Sequence, residues 1–387
     1  MSDRVASITV YALTQPRDVP YLGAARPGEE PNARGYLVRK GNRTVYPTFD
    51  RSVLVKIETA QGLTGWGETY GLVAPRAVAE IINDLLAGFT IGRDPSDPSA
   101  IYDDLYDLMR VRGYTGGFYV DALAAIDIAL WDIAGRLAGK SVAELLGGRL
   151  RENIPAYISG LPKPTLKERV TFAREWMDQG FDSFKFASPV ADDGVVMEMS
   201  ELRNGLGPDA RIACDMHWAY TPEEAIAEIK KMEPYGLWFA EAPVAPEDVE
   251  GLAEVTRGVQ TPIGAGEEWR TLYEARLRLN AKAVNILQPE MGHIGITEFT
   301  RIAKAAHSLR LEVLPHATVG AGIFLAASLQ ASFALEGIVG HEFQHSVFNR
   351  NTGLITEGME CVKGLYQVTD SVGIGVELTE RAIALLE

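Results

Sequence analysis

Cysteine is almost absent from this sequence: Cys214 and Cys361 are the only two among 387 residues. Two distant thiols exclude a disulfide framework and a cysteine-rich zinc cluster. Cys214 directly precedes an acidic residue near a strand end, and strand alternation would turn it outward, as core beneath helices. Basic charge is in deficit too, with 37 Lys and Arg against 52 Asp and Glu and a net charge of −15. No basic run or stripe is available to meet phosphates, which argues against nucleic acid as a partner. The same charge repels an anionic substrate unless a local cation receives it. No apolar run of the roughly 18 residues a membrane helix needs occurs, so no membrane span is expected. The first residues, Met-Ser-Asp-Arg-Val-Ala-Ser, lack the apolar stretch of a signal peptide, and a cytoplasmic protein is the expectation.

What is present suits a globular chain of more than one unit: 47% hydrophobic and 23% charged residues over 387 positions. Residues 5–12, 51–59 and 63–68 are rich in β-branched and aromatic residues and predict a small antiparallel meander. Between the first two strands, about residues 14–48, lies a segment rich in Pro, Gly, Arg and Asn. A loop of that length reads as a lid, and Arg26, Arg34, Arg39 and Arg43 would meet an anion from it. Helical periodicity follows over 78–86, 98–112 and 120–137, then a capped turn over 141–148 ending at a Gly pair. Residues 1–150 therefore read as an α+β unit.

From residue 153 strand and helix alternate. Strand ends are expected near Tyr157, Lys185, Asp215, Glu241, Glu267, Glu290, His316 and Glu342, with intervals from Asp215 onward of 26, 26, 23, 26 and 26. One strand, one helix and two short loops take about that many residues in a (β/α)₈ barrel. The fold class is thus α/β, a TIM-like barrel over 151–355 carrying the α+β unit as a cap. The tail, 356–387, is expected to pack back on that cap.

Asp215, Glu241 and Glu267 end consecutive strands and converge at the catalytic mouth of such a barrel. Three desolvated carboxylates repel one another and need a cation; hard oxygen donors with room for water and substrate point to Mg²⁺. The spacing of 26 favours Glu267 over its neighbour Glu268. Lys185 enters from one side of this centre and His316 from the other, and Glu290 is placed to set the tautomer of His316. His217, two residues beyond Asp215, would face the same side on a strand. Glu342 ends the last strand and would hold a substrate oxygen. A metal flanked by bases is an arrangement for proton abstraction. The turn Gly320-Ala321-Gly322 before a helix offers a competing reading, a phosphate cradle.

These motifs, in order, resemble the enolase superfamily in its mandelate racemase subgroup. Trp66-Gly67-Glu68, Asp127-Ile128-Ala129-Leu130-Trp131-Asp132, the three carboxylates, Gln288-Pro289-Glu290-Met291-Gly292, Leu314-Pro315-His316 and Gly373-Ile374-Gly375-Val376-Glu377 carry the likeness through both units. The resemblance implies a modified barrel under an α+β capping domain, an essential Mg²⁺ on Asp215, Glu241 and Glu267, and abstraction of the proton α to a carboxylate. It implies His316 as the base and Glu342 as the partner of the substrate carboxylate. Within the subgroup, Asp215-Met216-His217 and Gln-Pro-Glu…His look most like the galactonate dehydratase type, in which the imidazole in the His217 position helps expel the β-hydroxyl. Two departures stand out. The family's Lys-x-Lys pair is here Lys185-Phe186-Ala187, and the usual Asp partner of the base is Glu290. A Mg²⁺-dependent acid-sugar dehydratase giving a 2-keto-3-deoxy acid is the expectation; a racemase, epimerase or cycloisomerase using the same enolate is the alternative. A homo-oligomer acting on a small carboxylate sugar is also implied.

Overall fold

Alternation within one strand decides how the two units join. In Phe49–Thr59, Val53, Val55 and Ile57 turn to one face and Leu54 to the other, and all four are fully buried. The first three pack with Val120, Leu123 and Ile126 in the core of the cap. Leu54 packs instead into the large core that continues through the barrel. The computed structural model describes residues 3–17, 22–317, 320–356, 358–367 and 371–386. Phe49–Thr59 is the centre of a three-stranded antiparallel sheet, between Val5–Pro16 and Thr64–Tyr70. A two-stranded ribbon, Tyr36–Val38 with Val45–Pro47, stands in the segment before it.

Pro98–Arg110 and Gly117–Ala138 form two helices, and the second is buried on nearly every side. It lies so close to Thr64–Tyr70 that a Cβ on Gly67 would sit 1.8 Å from Ala125 O, so no side chain fits there. Two carboxylates from this helix fasten the units together. Asp132 accepts from Trp66 N and from Ile374 N, each at 3.1 Å. Asp127 accepts from Thr297 N at 2.9 Å and Thr297 Oγ1 at 2.6 Å. The C-terminal segment also pairs with the first cap strand through Leu13 and Leu386.

Eight strands form the barrel: Asn153–Ser159, Ser183–Ala187, Arg211–Asp215, Leu237–Glu241, Ile263–Ala265, Ile286–Leu287, Glu312–Val313 and His341–Phe343. Neighbours from the first to the seventh are parallel, the eighth pairs with the first, and a bridge between Val313 and Ile338 spans the last gap. Seven helices of at least ten residues link them, from Leu166–Met177 to Ile323–Ala334. Cys214 lies in the core between sheet and helices, fully buried. No helix among the described residues is long and apolar enough to cross a membrane.

The Gly320-Ala321-Gly322 turn is no phosphate cradle. Its donors, and those of the helix behind it, go to Glu68 of the cap: Ala321 N, Gly322 N (3.2 Å) and Phe324 N (3.1 Å) all bond the carboxylate, with Ser52 Oγ at 2.5 Å. A negative group at a helix N-terminus satisfies otherwise orphaned N–H groups. Glu68→Ala strands these donors in a buried seam, at a cost of about 1–3 kcal/mol per unmatched group. The expected loss of unfolding free energy in urea is about 3 kcal/mol or more; a loss well under 1 kcal/mol would show that the seam admits water at little cost.

His341 in the last barrel strand is fully buried. Its Nδ1 lies 3.1 Å from the carbonyl of Glu342, which can only accept, so Nδ1 donates and Nε2 accepts from Ser328 Oγ at 2.8 Å. Burial pushes this imidazole down to about 4, outweighing the Glu342 backbone bond and charge. A folded value below the unfolded one, about 6.5, means that the unfolded chain binds the extra proton. Stability is therefore complete above pH about 6.5 and declines as pH falls toward 4, by up to about 3 kcal/mol for this group. Urea unfolding at pH 7 and 4.5 should show a steeper decline in the wild type than in His341→Gln; parallel declines would sink the assignment.

Candidate active site

The barrel strands all run toward one mouth, so residues at and just past their C-termini converge. A cavity of about 290 Å³ opens there, and Lys185, Asp215, His217, Glu267, His316 and Glu342 line it. Glu241 and Glu290 stand behind this wall, both essentially buried. Only Asp215 and Glu241 are last residues of strands. Glu267, Glu290 and His316 lie two or three residues beyond theirs, and a bridge between Glu290 and His316 extends the sheet to the site.

His316 is held from two sides. Its Nδ1 is 2.7 Å from Glu290 Oε2, and its Nε2 is 3.0 Å from Glu267 Oε2 and 3.5 Å from Glu342 Oε2. Burial opposes its charged form, but Glu267 and Glu342 win and hold the imidazole well above its ordinary value. Glu290 in turn accepts from Gly292 N at 3.0 Å and from Tyr70 OH, supplied by the cap, at 3.1 Å. The longer side chain that replaces the family's Asp thus reaches the imidazole.

His217 is not on a strand. The third barrel strand stops at Asp215, and His217 adopts φ +50°, which carries its ring back onto that carboxylate. Its Nε2 lies 2.8 Å from Asp215 Oδ2 and its Nδ1 3.2 Å from Asn42 Nδ2. The amide nitrogen donates, since Asn42 Oδ1 already accepts from Thr44 N; Nδ1 therefore accepts and Nε2 donates to Asp215. Against burial, the Asp215, Glu267 and Glu241 charges raise this imidazole above its usual value.

Lys185 does not face the cavity as a free base. Its Nζ bonds both oxygens of Glu241, at 2.7 and 2.8 Å, and stands 3.4 Å from Glu342 Oε1. Despite burial, Glu241 and Glu342 raise its pKa well above the ordinary lysine value. Glu342 takes Ala317 N on its other oxygen at 2.7 Å, while Oε1, fully enclosed, makes no hydrogen bond among the described residues.

Carboxylate oxygens of Glu241 and Glu267 and a ring nitrogen of His316 all lie within 4.8 Å of one another. That grouping differs from the trio read from the sequence, because Asp215 is turned toward His217. The donors still fit a hard divalent ion. Burial and the charges of Asp215, Glu267 and Glu342 push Glu241 up to about 8 even with Lys185 beside it, so the cluster carries more negative charge than its own cations balance. Glu268 lies off this cavity and accepts from Trp269 Nε1 at 3.1 Å, while Glu267 lines it.

Of the four arginines read as anion receptors in the 14–48 segment, none lines the cavity. Arg39 is locked in a buried pair with Glu29 at 2.8 Å, Arg26 reaches Asp192 at 2.6 Å, and Arg34 and Arg43 are exposed. Part of the segment, 18–21, lies outside the described residues. Arg17 lines the cavity instead, 2.5 Å from Asp50. Sequence reasoning also passed over Asn42, Tyr46, Tyr70 and Gln288, whose Nε2 donates to Glu241 Oε2 at 2.5 Å. The Gln-Pro-Glu motif was the only available signal, and only for the last of these.

Residues 44–147 match the model of the mandelate racemase / muconate lactonizing enzyme N-terminal domain, and residues 168–382 match the enolase C-terminal domain-like model. The chain is 34% identical over 352 residues to the D-galactarolactone cycloisomerase of Agrobacterium fabrum, covering 87% of this chain and 91% of that one. It is 30% identical over 358 residues to the D-galactonate dehydratase of Xanthomonas euvesicatoria pv. vesicatoria, covering 88% and 92%. The crystal structure of an enolase superfamily member from Agrobacterium tumefaciens superposes with a TM-score of 0.98 at 60% identity over 100% of both chains.

Proposed function

Because the chain belongs to the enolase superfamily, in its mandelate racemase / muconate lactonizing enzyme group, we propose that it removes the proton α to the carboxylate of an acid sugar and expels the 3-hydroxyl as water. The product is a 2-keto-3-deoxy acid. The observation that carries this reading is the pair of carboxylate-backed imidazoles, His316 on Glu290 and His217 on Asp215, lining one cavity.

Asp215, Glu241 and Glu267 would hold Mg²⁺, whose charge, when bound, offsets the negative charge a carboxylate gains on losing its α-proton. Glu267 is the main charge that keeps His316 protonated, and holding a cation would offset it. His316 then takes the α-proton through Nε2, with Glu290 fixing the ring through Nδ1. His217, raised toward its charged form, delivers a proton to the departing hydroxyl from Nδ1, once that hydroxyl has taken the place of the Asn42 amide. Glu342, whose side chain lines the cavity beside Lys185, holds a substrate oxygen.

A racemase fits less well. It needs a base on each face of the α-carbon, and here Lys185 is bound by both oxygens of Glu241 while Phe186 and Ala187 offer no second amine. A cycloisomerase stays in view because of the 34% identical relative.

The test is a panel of mono- and di-acid sugars and their lactones, with Mg²⁺ or with EDTA, in D₂O. A metal-dependent 2-keto-3-deoxy acid with loss of water is the expected result. Consumption of a lactone at constant mass would favour the cycloisomerase, and deuterium exchange with no keto acid an epimerase.

A further inference from the structure

The cavity wall holds a third imidazole with a carboxylate behind it. His293, in the first turn of Met291–Ser308, lines the cavity, and its Nδ1 lies 2.8 Å from Asp121 Oδ1. Asp121 comes from the cap helix and is itself gripped by Arg270 Nε at 2.9 Å. The His293 ring lies flat on Tyr70, with centroids 3.9 Å apart and planes 23° apart. Phe324 stacks parallel to Tyr70 at 5.6 Å. The Tyr70 hydroxyl is tied to Glu290, the carboxylate that also holds His316. Gly292 makes room for this stack, since a Cβ there would come within 2.9 Å of the Tyr70 ring. The third imidazole is therefore fixed in place by one hydrogen bond and one ring face.

The chemistry of the fixed end sets the free one. A carboxylate accepts and cannot donate, so Nδ1 carries the hydrogen. Burial and the Arg270 charge lower the imidazole's pKa below its ordinary value, against the pull of Asp121 and Glu290, which favours the neutral ring. A neutral ring with its hydrogen on Nδ1 offers a lone pair at Nε2. That atom makes no hydrogen bond among the described residues.

We propose that Nε2 of His293 accepts a hydrogen bond from one hydroxyl of the substrate's polyol tail, beyond C3, and so selects for a hydroxyl there. A carboxylate or a carbonyl at that position would place acceptor against acceptor, and a deoxy carbon would leave Nε2 unpaired. This rests on the acid-sugar reading above and adds to it the class of group that the tail must present.

Two measurements test it. In ligand-free protein with ¹⁵N-labelled histidine, long-range ¹H–¹⁵N spectra at pH 7 should show His293 as the neutral tautomer with its hydrogen on Nδ1; the peak is assigned by its loss in His293→Phe. A charged ring, or a hydrogen on Nε2, would overturn the proposal without reference to any substrate. The second measurement compares the acid sugar that the wild type turns over with its 4-, 5- and 6-deoxy analogues. The wild type should disfavour one of them by about 10-fold or more in kcat/KM. His293→Phe, which keeps an aromatic face for Tyr70, should erase that preference and weaken the parent substrate mainly through KM. His293→Gln, which retains an acceptor, should restore part of it. Unchanged discrimination in His293→Phe overturns this proposal alone. Failure of the wild type to turn over or exchange any acid sugar overturns it together with the acid-sugar reading.

Discussion

His316→Asn is expected to lower turnover by about 10²–10⁴-fold, the usual contribution of a general base, and to abolish deuterium uptake at the α-carbon. It should leave intact the rise in Tm that Mg²⁺ produces. The second readout matters because His316 has two possible employments. Its Nε2 lies 3.0 Å from Glu267, and a ring nitrogen lies within 4.8 Å of a Glu241 oxygen, close enough to share a cation with them. Its Nδ1 is taken by Glu290, an arrangement suited equally to a base and to a ligating imidazole. The two roles separate in the variant. A base that is lost takes proton transfer with it and leaves metal uptake; a ligand that is lost takes both. If the Mg²⁺-dependent Tm shift disappears in His316→Asn, His316 belongs to the metal site and the base must be sought elsewhere. Glu290→Gln should fall between wild type and His316→Asn, since the ring keeps its place but loses the charge that favours its protonated state during transfer.

The 26-residue cadence located most of this site because the repeat length of a strand, a helix and two short loops is set by geometry rather than by residue identity. It favoured Glu267 over Glu268, and the cavity wall contains the first and not the second. The rule failed one step past the strand. Alternation holds only while the backbone is extended, and at His217 the chain has turned left-handed, so the ring points back to Asp215 instead of out beside it. The arginines misled for a related reason. Their charge is visible in sequence, but their partners Glu29 and Asp192 are set by tertiary folding. Tyr70, Asn42 and His293 were invisible as site residues for the same cause. Tyr70 ends a cap strand, Asn42 lies in a loop, and His293 opens a helix; no periodicity brings the first and last to one cavity and the second against His217 on its wall. Glu68 shows the converse, a residue flagged within a motif whose role, capping a helix of the other unit, appears only from its four hydrogen bonds.

Removing divalent cations should abolish turnover and lower Tm by several degrees, and Glu267→Gln should do both at any Mg²⁺ concentration tested. The cluster at the mouth holds Asp215, Glu241, Glu267, Glu290 and Glu342 against the three basic groups Lys185, His217 and His316. Burial and three neighbouring carboxylates push Glu241 up to about 8 despite the ammonium on both its oxygens. A site in which a carboxylate resists ionisation beside a lysine is short of positive charge, and a divalent ion is the compact way to supply it. Binding to the folded state alone stabilises by about 2.7 kcal/mol at a hundred times Kd. The catalytic share is of the order of several kcal/mol, so the expected loss of turnover in Glu267→Gln is about 10³-fold or more. Glu268→Gln is the control. That residue is the adjacent carboxylate on the chain and is likewise half-buried, yet it bonds Trp269, lies off the cavity and is pushed up to about 7 by burial. That variant should keep the metal response and most of its turnover. A Glu267→Gln protein that still gains Tm with Mg²⁺ would mean that the ion is held without this carboxylate, and the coordination would then have to be rebuilt around Asp215 and Glu241.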